Sequence, residues 1–251
     1  TEIYTLSLHD ALPILPPKEP LLQYTPGVGY APPAGDAQRR IVLFGVHACD
    51  VYALNILDLV FAGKFPDPYY QARRRNIAII GIDCVPDGKC FCRSMRADFV
   101  DHGFDLFFCD IGGHYLTFVG SALGDDMVLA TESLFEAVGA ADIDEYKRRS
   151  GEKHEAFKLD VEIRDLPEIF EMEYGSAIWD ELCEKCLSCG SCSAVCPTCY
   201  CFDMNDEAVL GSKAGTRSRS WDSCLYSTHA LVAGGENFRV SRSSRDRKSV
   251  V

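Results

Sequence analysis

Apolar positions along the chain gather into short runs separated by polar stretches with helical spacing. Ile41–Val46 (IVLFGV) and Ile77–Ile82 (IAIIGI) are nearly continuous apolar hexapeptides, the pattern of strands buried on both faces. Between them VYALNILDLVF carries Leu54, Leu57 and Phe61 at helical spacing, with Asp50 placed to cap it, and DPYYQARRR reads as a second, short helix. Strand, helix and strand in that order predict a βαβ unit with parallel strands, and hence an α/β domain. FDLFFCDIG and HYLTFVGS then predict an antiparallel pair turning at Gly112-Gly113, and residues 132–157 are helical by propensity.

Elsewhere the pattern is weaker. Residues 15–37 hold six prolines and three glycines and are expected to be a lead-in loop. A second region begins near Lys158, where a helix is expected after Asp165, with Pro167 in its first turn and Ile169, Met172 and Ile178 on one face. Beyond Asp206, SKAGTRSRS reads as loop and Trp221–Val232 as a short helix. The expected fold is an α/β N-terminal domain with a mixed, partly parallel sheet (15–157), followed by a mainly helical domain (158–245) that the C-x2-C-x2-C-x3-C-P run from Cys186 to Cys196 marks as a truncated, ferredoxin-like iron–sulfur domain.

Both ends read differently from the rest. TEIYTLSLHDALPI (1–14) is the translation of a common sequencing-library adapter, and the codons for DRKSVV (246–251) are the reverse complement of those for His9 to Ile14. The native part is therefore expected to run from about Leu15 to Arg245 with both native termini missing. The outer segments are expected to pack poorly, with little burial of Leu6, Leu8 and Leu12.

Composition narrows the function classes. The chain has 251 residues and a net charge of −12, so a basic, phosphate-binding surface is not expected and nucleic acid is excluded as a partner. No apolar run approaches the roughly 20 residues of a membrane-spanning helix. Thirteen cysteines, seven of them between Cys183 and Cys201, are too many and too clustered for an ordinary enzyme core. An odd count in a chain this long fits metal binding in a reducing compartment better than a disulfide framework.

Two constellations carry chemistry. Cys186-Leu-Ser-Cys189-Gly-Ser-Cys192-Ser-Ala-Val-Cys196-Pro197 is the C-x2-C-x2-C-x3-C-P run of bacterial-type ferredoxins, in which closely stepped thiolates each take one iron of a cluster. Zinc is the competing occupant, although zinc ribbons separate their cysteine pairs by a long spacer. The second set is Cys49 just after the first strand, Cys84 just after the second, and Cys90 and Cys92 in the following loop. Parallel neighbouring strands would bring Cys49 and Cys84 to one crevice at their C-terminal ends, where α/β sheets bind ligands, and the loop, bent at Gly88, would add the other two. The alternative is that Cys49 and Cys84 are small buried hydrophobes. Cys109 reads as core.

GVHACDVYALNILDLVF, DPYYQARRRN, GIDCVPDGKCFCRSM, FDLFF, CLSCGSCSAVCPTCYCFD, WDSC and GGENFR together resemble a family of two-cluster iron–sulfur proteins, found as the beta subunit of cytoplasmic nickel–iron sulfhydrogenases and as the corresponding iron–sulfur component of anaerobic sulfite reductases. The resemblance spans about residues 41–242. His47-Ala48 and Arg96-Ala97-Asp98 depart from the family pattern, which has Arg-Pro and a Gly-rich continuation there. It implies 4Fe-4S clusters, two in the intact ferredoxin-like domain, and supports a third on Cys49, Cys84, Cys90 and Cys92. It further implies a cytoplasmic electron conduit, not catalytic alone, linking a flavin- and nicotinamide-binding subunit with a catalytic hydrogenase or sulfite reductase subunit. In that family a second ferredoxin run follows GGENFR, so Cys186, Cys189 and Cys192 would await a fourth ligand and Cys196 would serve the other cluster. Cys199, Cys201 and Cys224 stay undecided between alternative ligands and thiols beside the clusters. No G-x-G-x-x-G follows either strand, so nucleotide binding by this chain is not supported. His47 beside Cys49 is the one close Cys–His pairing, and His102, His114, His154 and His229 read as solvated.

Overall fold

The structure is a computed structural model that describes residues 2–5, 14–33, 39–208, 210–229 and 231–248. Its strands are β1 (Glu2–Thr5), β2 (Lys18–Thr25), β3 (Gly29–Ala31), β4 (Ile41–Val46), β5 (Ile77–Ile82), β6 (Leu106–Asp110), β7 (Tyr115–Val119), β8 (Phe202–Ala208) and β9 (Gly215–Trp221). The helices are α1 (Ala48–Phe61), α2 (Pro68–Arg74), α3 (Ala122–Ala130), α4 (Ala140–Ala156), α5 (Leu166–Met172), α6 (Ile178–Lys185), α7 (Ser191–Val195) and α8 (Arg242–Lys248). The chain divides into two compact units, one of Thr1–Pro13 with Asp36–Ile163 and one of Ile14–Gly35 with Arg164–Val251.

The first unit is built on a five-stranded sheet in the order β1-β4-β5-β6-β7, with β7 antiparallel to β6 and the other neighbours parallel. The hexapeptides form β4 and β5 in register Ile41↔Ile77 to Val46↔Gly81, and bury Leu43, Val46 and Ile79 almost completely. Helix α1 covers them with Val51, Leu54 and Leu57. Asp67 caps α2 by accepting from the amides of Tyr69 (2.9 Å) and Tyr70 (2.8 Å), with Pro68 preset for the first turn. The cap of α1 differs from expectation. The helix begins at Ala48 with extended His47 as its N-cap, and Asp50 sits inside the first turn, where its charge still faces the positive end of the helix dipole. Beyond β6, Gly112 and Gly113 turn the hairpin at positive φ, and Asp110 accepts from the Gly112 amide at 2.7 Å.

Glu2–Thr5 pairs with β4 at the open edge of this sheet, and Ile14 is fully buried in the second unit. Poor packing of the outer segments therefore does not hold for these residues, because an open parallel edge offers main-chain partners to any extended, β-prone tetrapeptide. Leu6, Leu8 and Leu12 and residues 249–251 lie outside the described residues.

The second unit is not mainly helical. It holds a four-stranded antiparallel sheet in the order β3-β2-β9-β8. The expected lead-in loop supplies β2 and β3, and the expected SKAGTRSRS loop supplies most of β9, in register Lys18↔Ser220 to Tyr24↔Gly215. The prolines do not prevent this, since Pro16 and Pro17 precede β2, Pro20 adjoins a register irregularity before Leu22, and Pro26 opens the turn into β3. Trp221 ties the sheet to the segment before β2, its amide donating to Pro17 O (2.8 Å) and its indole to Leu15 O (3.0 Å). Residues 222–229 hold turns, and 231–232 are irregular, so the described part of this stretch is not helical. The helix expected after Asp165 is split into α5 and α6 by a 3-10 turn at Glu173–Gly175, whose Glu173 carbonyl accepts from the Trp179 indole at 2.6 Å. Among the described residues no helix is long and apolar enough to cross a membrane.

Candidate metal centres

In the first unit β4 and β5 end side by side, and the chain leaves β4 directly into α1 and β5 into Asp83-Cys84. Cys49 in the first turn of α1 and Cys84 beyond β5 are therefore carried to one edge of the sheet. The loop that follows is pinned by Asp87, whose carboxylate accepts from the amides of Lys89 (2.7 Å) and Cys90 (2.9 Å), while the Asp87 amide donates to the Cys90 sulfur at 3.4 Å. Asp87, and not Gly88, makes the bend, since Gly88 has no positive φ and a Cβ there would touch nothing closer than the Lys158 side chain at 3.7 Å. Residues 84–92 contain no strand, so Cys90 and Cys92 escape the alternation that would point them apart.

Electrostatics links the four thiols. Burial pushes Cys49 up to about 12, with Asp50, Cys92 and Cys84 adding to the shift. Burial likewise raises Cys84, opposed by Lys153 and reinforced by Asp83, Cys92 and Cys90. It raises Cys92, with Cys90 contributing next. Lys153, reaching in from α4 and largely buried, pairs with Asp83 and donates to Asp98 O at 2.8 Å. No sequence signal pointed to Lys153. His47 is not among the groups that act on Cys49. Cys109, by contrast, is buried in β6 as expected for core.

In the second unit the ferredoxin-type run begins at the C-terminus of α6, where the Cys186 amide donates to Leu182 O at 3.0 Å. Ser188 (φ 51°) and Gly190 (φ 71°) reverse the chain through left-handed conformations, α7 carries Cys192, and the Cys196 amide closes that turn on Cys192 O at 3.2 Å. A Cβ on Gly190 would stand 2.5 Å from the Tyr226 ring and 2.9 Å from Ser223 Cβ, so the residue is fixed by packing as well as by backbone conformation. Polar groups already address the sulfurs. The Ser188 amide donates to Cys186 Sγ (3.4 Å), and Cys189 Sγ and Cys196 Sγ lie 3.2 Å from the hydroxyls of Ser191 and Thr198. The Ser191 hydroxyl, and then its amide, hold the Cys189 thiol below the usual range, because they stabilise the thiolate. Cys189, Cys192 and Cys196 are exposed and Cys186 is half-buried. Such a donor set suits an iron–sulfur cluster, whose ligands are thiolates tuned by hydrogen bonds.

A family model described as the 4Fe-4S dicluster domain matches residues 185–251. Sulfhydrogenase 2 subunit beta of Pyrococcus furiosus is 42% identical over 212 residues, which are 84% of this chain and 63% of the relative. Over that span the chain is similar to this beta subunit. It spans 63% of the length of that curated relative. No solved structure matches it. The cofactors of the C-terminal unit are accordingly 4Fe-4S clusters.

In the second unit the thiols left undecided by spacing form a third group. The Asp222 amide donates to Cys201 O at 3.0 Å where β8 and β9 begin and end, which carries Cys224 toward the Cys199-Tyr200-Cys201 turn. Cys201 is pushed up to about 11 by burial, then by Cys199 and Cys224; it shares a thiol hydrogen bond with Cys199 and accepts from the Cys224 amide. The repeated C-x-C spacing, Cys90-Phe91-Cys92 and Cys199-Tyr200-Cys201, was the signal available for it. Nearby, Asp222 and His229 are hydrogen-bonded and half-buried, so His229 is not a solvated residue.

Proposed function

We propose that this chain is the iron–sulfur electron-transfer subunit of a cytoplasmic anaerobic oxidoreductase complex of the sulfhydrogenase or sulfite reductase type. It would relay electrons between a flavin- and nicotinamide-binding partner and a catalytic subunit, and would not be catalytic alone. The observation that carries the reading is the thiol run from Cys186 to Cys196, seated between α6 and the Tyr226 turn with the Ser188 amide donating to one sulfur and the Ser191 and Thr198 hydroxyls set against two others. Cys186, Cys189 and Cys192 would hold three irons of one cluster and Cys196 one iron of its neighbour. A 4Fe-4S cluster takes up and releases one electron without bond rearrangement. The chain's part would be to fix the spacing of the thiolates and to tune the potential through the Ser188 amide and the hydroxyls of Ser191 and Thr198.

The test is anaerobic reconstitution of the intact chain. The expected product is brown, contains acid-labile sulfide, bleaches with dithionite, and loses part of its iron on Cys189→Ser. Stoichiometric zinc without sulfide, from iron-sufficient anaerobic growth, would replace this reading with a zinc-stabilised interaction module.

A further inference from the structure

We propose that Cys49, Cys84, Cys90 and Cys92 bind a further 4Fe-4S cluster within the α/β unit, separate from the dicluster domain. Three arguments converge on it. First, the topology delivers the thiols from three chain segments to one sheet edge: the start of α1, the exit of β5, and the loop pinned by Asp87. Second, each of the four thiols is within electrostatic reach of at least two others, Cys49 of Cys84 and Cys92, and Cys90 of Cys84 and Cys92. Four cysteines meeting this way are not explained by core packing. They are half-buried, whereas Cys109 in the same sheet is fully inside.

The third argument concerns what kind of centre would fit. Among the described residues no three His, Cys, Asp or Glu side chains are close enough to share one metal ion. A tetrahedral ion with thiolates at about 2.3 Å requires sulfurs roughly 3.8 Å apart. A cubane attaches each thiolate to a different iron and so accepts a wider set. Four thiols delivered to one sheet edge from three chain segments, without a single-ion arrangement, match the cluster and not the ion. Charge agrees as well. Assembly releases four thiol protons, and the oxidised cluster with four thiolates carries two negative charges, which become three when one electron enters from a reductant such as dithionite. Lys153 is placed beside Cys84 with its side chain only 14% exposed, where it offsets that charge. The Asp87 amide already donates to Cys90 Sγ.

The experiment compares the intact chain, purified anaerobically, with Cys84→Ser, Cys90→Ser and Cys109→Ser. Iron and acid-labile sulfide should each fall by about four per chain in Cys84→Ser and Cys90→Ser, the content of one 4Fe-4S cluster, and stay unchanged in Cys109→Ser. Cys90 lies in a surface loop, so its variant reports on the centre even where Cys84→Ser fails to fold. The dithionite-reduced variants should also lose one component of the low-temperature EPR spectrum, and Lys153→Gln should move the potential of that component downward. Equal iron and sulfide in the wild type and both loop-side variants would overturn the proposal, as would one zinc lost per chain with sulfide unchanged. Cys189→Ser is the separate arm: if it removes iron while Cys84→Ser and Cys90→Ser do not, this inference fails and the electron-transfer reading stands.

Discussion

Gly190→Ala is the most direct challenge to the geometry of the ferredoxin-type run. Gly190 sits at φ 71°, a conformation that costs an alanine about 1–2 kcal/mol. Its new Cβ would also meet Tyr226 Cε1 at 2.5 Å, Tyr226 Cζ at 2.8 Å and Ser223 Cβ at 2.9 Å, all well inside ordinary contact. Overpacking of this kind costs about 1–3 kcal/mol. Tyr226 is 36% exposed and can swing outward, while Ser223 is 2% exposed and cannot, so the packing cost belongs in the lower half of that range. The sum is about 2–4 kcal/mol, to be read as an earlier midpoint for loss of the cluster's visible absorbance during urea titration under argon. Tyr226→Ala in the same chain should recover the ring clash but neither the backbone strain nor the Ser223 contact, leaving at least about 1–2 kcal/mol. An unchanged midpoint for Gly190→Ala, or a double variant no better than the single one, would refute the claim that Tyr226 closes on this turn.

The remaining predictions concern the sheet of the second unit and the thiols. Arg219 and Glu19 form a buried ion pair between β2 and β9, so Arg219→Ala should cost about 3–5 kcal/mol by leaving a buried carboxylate uncompensated, and Arg219→Met with Glu19→Leu should recover most of it; urea unfolding measures both. In the metal-free chain at pH 8, Cys49 and Cys109, both pushed up to about 12 from 9.0, should hold roughly a thousandfold less thiolate than an ordinary cysteine, whereas Cys189 is held low. Iodoacetamide should therefore modify Cys189 first, and Cys49 and Cys109 should speed up about tenfold per pH unit, as peptide mapping by mass spectrometry would report. The sign for stability follows: the fold favours the neutral thiols, so their contribution is present below the unfolded value near 8.5 and is lost as pH rises toward 12.

The α/β unit was legible because its information is local. Continuous apolar hexapeptides can only be buried strands, and a helical crossover between them makes them parallel, which places Cys49 and Cys84 together before any coordinate is known. The sheet of the second unit was not legible, because its central pairing joins Lys18–Thr25 to Gly215–Trp221 across nearly the whole chain. The flanking strands carry no alternating apolar signal either: β2 exposes most of its side chains, the outer strand β8 exposes nearly all of its own, and the segment around β2 is dense in proline. The stabilising contacts there, Glu19 with Arg219 and Leu15 with Trp221, are long-range pairs that no window of sequence contains.

The thiol groups repeat that contrast. The run from Cys186 to Cys196 is a local motif, and its spacing identified the cofactor that the dicluster match supports. Cys199, Cys201 and Cys224 could not be grouped from spacing, since Cys224 arrives only through the end of β9, which no local pattern foretold. The α/β set falls between the two. Its sheet-edge half followed from topology, yet its loop half turns on the Asp87 carboxylate, where glycine had looked like the hinge. That distinction has a chemical consequence. A turn held by Asp87 keeps an acidic residue against Cys90, its carboxylate accepting from the Lys89 and Cys90 amides while its own amide donates to the Cys90 sulfur. The bend and the thiolate's hydrogen bond are thus made by the same residue, so the loop is shaped for its sulfur as well as for its path.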